Sequence, residues 1–306
     1  MYLDYFLSHC KTEKKLSDKT IEAYNSDLKQ FKRYIREEFN IQDFRLIQRE
    51  HIKKHLAHIN KYAPRTVKRK IATLKVFYSH LLYEDCISEN PFDKIRVNIR
   101  VQKSLPSVLS LNEVTSILKQ LQSQKLEASK SSMKYTLIIR NIAIVELLFA
   151  TGIRVSELCF LKKSNIHSDF STIKILGKGN KERIIPITNE ETITALKDYY
   201  SLFEEKINRN SYFFINRLNH RISEQSVRHL IKKISQESGI KRGVTPHVFR
   251  HTFATQLLEA NINIRYIQEL LGHSSIRITE IYTHVSHQRT SEILKLKHPR
   301  NLISYN

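Results

Sequence analysis

Residues 171–188 read STIKILGKGNKERIIPIT, and this stretch decides the fold. Thr172-Ile173-Lys174-Ile175 is rich in β-branched residues, and Arg183-Ile184-Ile185-Pro186 is a second such run. Between them Gly177-Lys178-Gly179-Asn180 supplies a glycine-rich turn, so the segment predicts a β-hairpin. It is the main β element that the chain offers. On both sides of it the apolar periodicity is helical. Only six Gly and six Pro are present, too few turn-formers for a β-sandwich. The expected fold is mainly α with a small β-hairpin.

Upstream, Ser17 or Asp18 can cap a helix whose apolar stripe is Ile21, Tyr24, Leu28, Phe31 and Ile35. A second helix fits 50–59. Pro64 suits the start of a third, with Val67, Ile71, Leu74, Tyr78 and Leu81 facing a core. Arg65, Lys68 and Lys75 share another face of that helix, either as a solvated surface or as a track for phosphates. Asn90-Pro91 closes this unit. The basic stretch that follows has no helical stripe and contains Leu105-Pro106, so it reads as a linker. Ser110 followed by Glu113 is a capping-box signature that opens a second unit. The predicted division is 1–96, a linker over 97–109, and 110–306. Within the second unit 122–132 reads as a polar loop, and a long apolar helix follows up to Phe149. After the hairpin, helices are predicted at 190–205, 224–237, 246–260 and 264–271.

The chain has 306 residues, with 51 Lys+Arg against 30 Asp+Glu, a net charge of +21. Basic residues recur along most of its length, which favours a nucleic-acid partner over an ordinary solvated surface. No lipidation signal or basic amphipathic anchor is visible, so a membrane surface is the weaker reading. The apolar stretch 137–150 is interrupted by Arg140, Asn141 and Glu146, which excludes a transmembrane span there. The first residues carry Asp4 and show no secretory leader. Cys10, Cys86 and Cys159 are scattered and odd in number, which fits a reducing cytoplasm better than a disulfide framework.

Most common chemistries are excluded by the motifs. No Walker loop and no His-Glu-x-x-His occurs, and the acidic residues lack the clustering of a two-metal nuclease. What remains is a basic constellation: Arg154, Lys178, His247, Arg250, His273 and Tyr282. An anionic phosphodiester gathers further charge on its nonbridging oxygens when attacked. Arg154 and Arg250 can grip those oxygens and stabilise that charge. His247 and His273 can donate hydrogen bonds or handle protons. Tyr282 offers a nucleophilic hydroxyl, whose ordinary pKa of about 10 requires cationic surroundings. Lys178 at a hairpin tip can protonate a leaving oxygen, with Lys181 as its near rival. Taken singly, each has a plainer alternative. Arg154 could pair with Glu157, Lys178 could be a solvated turn lysine, His247 could cap a helix, His273 could be a core histidine, and Tyr282 a buried aromatic.

The motifs are Ala150-Thr151-Gly152-Ile153-Arg154-Val155-Ser156-Glu157-Leu158, Gly177 through Arg183, Thr245-Pro246-His247-Val248-Phe249-Arg250-His251, Leu270-Leu271-Gly272-His273 and Ile281-Tyr282-Thr283-His284. In this order and spacing they resemble the tyrosine recombinase (phage integrase) family, most closely its Xer-type and simple integrase members. The resemblance spans essentially the whole chain. It implies a SAM-like helical core-binding domain followed by a catalytic domain, and DNA cleavage through a 3′-phosphotyrosyl link at Tyr282. Neither metal nor ATP nor any other cofactor is implied. Glu157 takes a supporting role, and the 224–237 helix, with Gln225 and Arg228 near its start, is similar to the family's major-groove helix. The implied assembly is a homotetramer on two DNA sites, in which a second related recombinase can take part. The tail 291–297 is expected to dock on a neighbouring protomer. A type IB topoisomerase-like relaxing enzyme and a catalytically silent DNA-binding regulator are the alternatives. No additional N-terminal arm-binding domain is visible, which favours short core sites.

Overall fold

The computed structural model describes residues 2–99, 107–177, 182–260, 262–272 and 294–303. The chain forms two compact units, Met1–Ser104 and Leu105–Asn306.

Among the described residues, the α-helices of the first unit are α1 (Tyr2–Thr12), α2 (Asp18–Phe39), α3 (Arg49–Ile59) and α4 (Pro64–Tyr83). Ser17 caps α2, its side chain accepting from the Thr20 N–H, and Asn40 ends the helix in the left-handed conformation. Leu28, Phe31 and Ile35 are buried, as the stripe requires. Pro64 occupies the first turn of α4, which buries Val67, Ile71, Leu74, Tyr78 and Leu81. Helix α1 was not anticipated. Its Phe6 and Cys10, one turn apart, are fully buried, and the Phe6 ring meets Phe77 edge-on at 5.2 Å. A polar tie crosses this core. Asp27 on α2 is buried and accepts from Arg69, from Lys70 Nζ at 3.1 Å and from the Thr73 hydroxyl at 3.1 Å, all on α4. A buried carboxylate is tolerated only when cations and hydrogen bonds replace its water, which these three residues do.

Near the start of the second unit, the Leu109 N–H donates to the Thr252 hydroxyl at 2.8 Å. The Ser110/Glu113 capping box is formed at the start of α5 (Leu111–Glu127). That helix runs six residues further than expected, because Gln124 bonds Glu237 and Lys125 pairs with Asp198. The predicted loop 122–132 is thereby shortened; tertiary partners hold a polar helical end that carries no apolar stripe.

Helix α6 (Met133–Thr151) is buried on almost every side in its second half and packs against α5, α8 and α10. It ends at Gly152, φ +60°, where an added Cβ would meet the Phe253 ring at 2.5 Å. A short helix α7 (Val155–Phe160) follows, then the hairpin of β1 (Thr172–Leu176) and β2 (Glu182–Pro186). The strands are antiparallel, with Ile173 opposite Ile185 and Ile175 opposite Arg183. Further helices are α8 (Glu190–Asn208), α9 (Glu224–Glu237), α10 (Pro246–Glu259) and α11 (Ile264–Leu271). Among the described residues no helix is long and apolar enough to cross a membrane.

The described end of the chain, 294–303, is bound into its own unit. Leu294 is fully buried, His298 Nε2 lies 2.6 Å from the Ala150 carbonyl, and Arg300 donates to both oxygens of Glu146 at 2.9 and 3.0 Å. The expectation that residues 291–297 dock on a neighbour is therefore corrected for Leu294, whose apolar side chain fills its own core. Residues 291–293 lie outside the described ones. Burial holds the His298 imidazole down at about 4, with Arg300 adding to burial and the Ala150 contact opposing it.

Candidate active site

The site is built at three helix ends. Arg154 precedes α7, Arg250 lies in the second turn of α10, and both reach the C-terminus of α11. The central element is Glu157. Its carboxylate accepts from the Arg154 backbone N–H at 2.7 Å and from Arg154 Nη1 at 2.9 Å. It also accepts from Arg183 Nη1 at 2.9 Å and Nη2 at 2.8 Å. Every acceptor direction of the carboxylate is thus in use. Burial alone would raise the Glu157 pKa. The Arg183 hydrogen bonds and charge, with help from Arg154, outweigh it and bring the pKa below the ordinary carboxylate value.

Three arginines then converge on three successive carbonyls at the end of α11. Arg183 Nε donates to the Leu270 oxygen at 2.9 Å, Arg250 Nη2 to Leu271 at 2.6 Å and Arg154 Nη2 to Gly272 at 3.1 Å. A helix C-terminus leaves its last carbonyls without intrahelical partners and carries partial negative charge, so guanidiniums satisfy it twice over. Arg250 Nη1 additionally donates to the Gly152 oxygen at 2.9 Å. Arg250 is 3% exposed; burial, then repulsion from Arg154, holds its pKa down at about 10, with Glu157 opposing. The Arg154 side chain keeps 39% exposure, leaving a cationic face open to an anion. Three guanidiniums face one carboxylate here, so the pocket is electropositive and suited to a phosphate.

His247 stands exposed in the first turn of α10. It does not cap that helix, because Thr245 does, accepting from the Val248 N–H. Its ring packs edge-on against His251, with centroids 4.3 Å apart. Burial, then the neighbouring His247 and Arg250, lower the His251 pKa. Lys178, His273 and Tyr282 lie outside the described residues. By sequence, Lys178 belongs to the turn of the hairpin, and His273 directly follows Gly272.

The expected DNA-contact residues occupy exposed helix faces. Arg65, Lys68 and Lys75 are exposed on α4 of the first unit. Gln225 and Arg228 are exposed near the start of α9, where Arg228 pairs with Glu224 at 2.7 Å. The reading of isolated motifs overlooked Arg183. Its signal was present: Ile185, two residues on in the same strand, is buried, so alternation places an arginine on the covered face.

Residues 107–289 match the model of the Phage integrase family, and residues 3–85 match that of the phage integrase N-terminal SAM-like domain. A tyrosine recombinase of Agathobacter rectalis is 43% identical over 300 residues, covering 98% of this chain and 96% of that protein. Tyrosine recombinase XerD of Listeria innocua is 38% identical over 304 residues, covering 97% of this chain and 98% of that protein. Among solved structures, XerH site-specific recombinase bound to its difH substrate in a pre-cleavage complex shares the fold. Its TM-score is 0.69 at 22% identity, over 95% of this chain and 82% of that one.

Proposed function

Because the chain belongs to the phage integrase family and is a site-specific DNA recombinase of the tyrosine type, we propose how its own residues divide the work. Arg154 and Arg250 bind the nonbridging oxygens of the scissile phosphate and stabilise the charge that grows on them. Tyr282 attacks phosphorus through its hydroxyl oxygen. The bond from phosphorus to the 5′ oxygen breaks, and Lys178 delivers a proton to that oxygen. His247 and His273 hydrogen-bond the phosphate and manage the tyrosine proton. The 3′-phosphotyrosyl link keeps the phosphoester energy, so a 5′-hydroxyl from the partner duplex can displace Tyr282 without ATP. The observation that supports this reading is the gathering of Arg154, Arg183 and Arg250 on the helix end that leads straight into His273.

The first unit is a DNA-binding domain that follows phosphates with Arg65, Lys68 and Lys75, while Gln225 and Arg228 reach base edges. The active assembly is a homotetramer on two core sites, associated with the nucleoid. Leu296 and Leu302, exposed on the docked end of the chain, leave apolar surface for a neighbouring protomer. The relatives named above lend no support to a relaxing topoisomerase or a silent regulator.

Covalent capture on cellular DNA tests the assignment. Wild type and Tyr282→Phe are expressed in the source cells, DNA still bound to denatured protein is isolated, and the attached ends are sequenced. Adducts at a few defined sites, present only with the tyrosine, are expected. Equal adducts in Tyr282→Phe would show a different nucleophile, and adducts without site preference would favour relaxation over recombination.

A further inference from the structure

We propose that Arg183 is a positioning residue for strand cleavage: it sets the orientation of Arg154 through Glu157 and holds the end of α11, from which His273 departs. The proposal rests on the recombinase reading above and adds a residue to it.

Three observations carry it. First, each of the three guanidinium nitrogens of Arg183 donates to the protein. Its two terminal nitrogens engage the Glu157 carboxylate side by side, and Nε binds the Leu270 carbonyl. The side chain is 11% exposed, so it is not placed to grip a phosphate itself. Second, each of its partners leads to a group of the site. Glu157 holds Arg154 by side chain and backbone, and the carbonyls next to Leu270 are held by Arg250 and Arg154. A shift of Arg183 would therefore move both phosphate-binding arginines relative to the end of α11. Third, Gly272 fits the arginine closely. Its φ is +63°, and an added Cβ would meet Arg183 Nη1 at 2.9 Å and Cζ at 3.2 Å. The last residue before His273 is thus a glycine for two reasons, its backbone conformation and the guanidinium lying against it.

The geometry requires an arginine specifically. A lysine retains the charge but has a single nitrogen head, which cannot make a side-by-side carboxylate pair and reach a carbonyl behind it. Arg183→Lys is thus the informative change, because it conserves charge and approximate volume while removing the fork.

The test uses full-length protein and a nicked synthetic duplex carrying a site recovered by covalent capture, with cleavage followed in single turnover at saturating protein. All variants are assayed below their melting midpoints. Arg183→Lys is expected to cleave about a hundredfold more slowly, the scale of a small misplacement of catalytic groups, with unchanged affinity for the duplex. Glu157→Gln should show a similar deficit. The double variant should be no slower than the slower single one, because both changes break one network. A duplex with sulfur at the 5′ bridging position needs no leaving-group proton, and the deficit should persist on it. A wild-type rate for Arg183→Lys overturns the proposal, as do losses that multiply in the double variant. Rescue by the sulfur substrate would assign the effect to Lys178 and overturn it too. Loss of duplex affinity in step with rate, or failure of Arg183→Lys to fold at any temperature, would make Arg183 a folding residue. If wild type itself forms no adduct, the recombinase reading fails instead.

Discussion

Each unit buries a carboxylate between two cations, yet the two serve different ends. Asp27 joins α2 to α4 through Arg69, Lys70 and Thr73. Its three partners lie within a single helix, so the tie closes on itself and adds cohesion to a small core. Glu157 joins α7 to the hairpin and, through Arg154 and Arg183, to the end of α11. Its cations have donors left over, and those reach the backbone beside His273. The same chemical device is a rivet in one place and a positioning frame in the other. What distinguishes them is where the spare donors of the cations point.

The sharpest way to break this contrast is to remove an arginine that faces the site. Arg154→Ala should lower the single-turnover cleavage rate by about a thousandfold, the scale of losing a charge-stabilising donor. Its melting temperature should change little, since Glu157 retains Arg183 and the Arg154 side chain is partly exposed. A cleavage rate near wild type would show that Arg154 belongs with Arg69 as a structural cation. Asp27→Ala should do the reverse. It leaves Lys70 buried without its carboxylate, so urea unfolding should show a loss of about 3 kcal/mol. The cleavage rate of the remaining folded protein should match wild type, and a catalytic deficit there would erase the distinction.

A smaller effect sharpens the comparison through pH. His55 in the first unit and His298 in the second are both buried and both held down at about 4. For His55 burial dominates, with His58 and Lys70 adding to it. In the unfolded chain each histidine takes up a proton near its ordinary value of about 6.5. The unfolded state then binds more protons, so stability falls as pH drops from about 6.5 towards 4, by up to about 3 kcal/mol for each histidine. Melting midpoints measured across that window should fall for wild type. His298→Gln should flatten the slope by its share. An unchanged slope would show that His298 is protonated in the folded state.

Local sequence made the helices legible where caps and stripes coincide. Ser17 and the run from Ile21 to Ile35 fix α2, and Ser110 with Glu113 fixes the start of α5. The hairpin was readable because its two β-branched runs flank glycines. Helix α1 escaped because only Phe6 and Cys10 mark its buried face. The polar end of α5 escaped because its partners, Asp198 and Glu237, lie far along the chain. The same limit applies at the site. Arg154, Arg183, His247 and Arg250 all stand in recognisable local motifs, but the hydrogen bonds of Arg183 run to Glu157 and Leu270, remote positions that no local period encodes. Glu146 likewise looked like an interruption of an apolar helix until Arg300, near the other end of the unit, supplied its countercharge.

The anchoring of α9 has a consequence for engineering. Val227, Ile231 and Ile234 hold this helix to the core, while Gln225, Arg228, His229, Lys232 and Lys233 all face outward. None of these outward residues takes part in the arginine frame around Glu157. If α9 reads base edges as proposed for Gln225 and Arg228, a library randomised at those outer positions would explore new target addresses on an unaltered cutting machine.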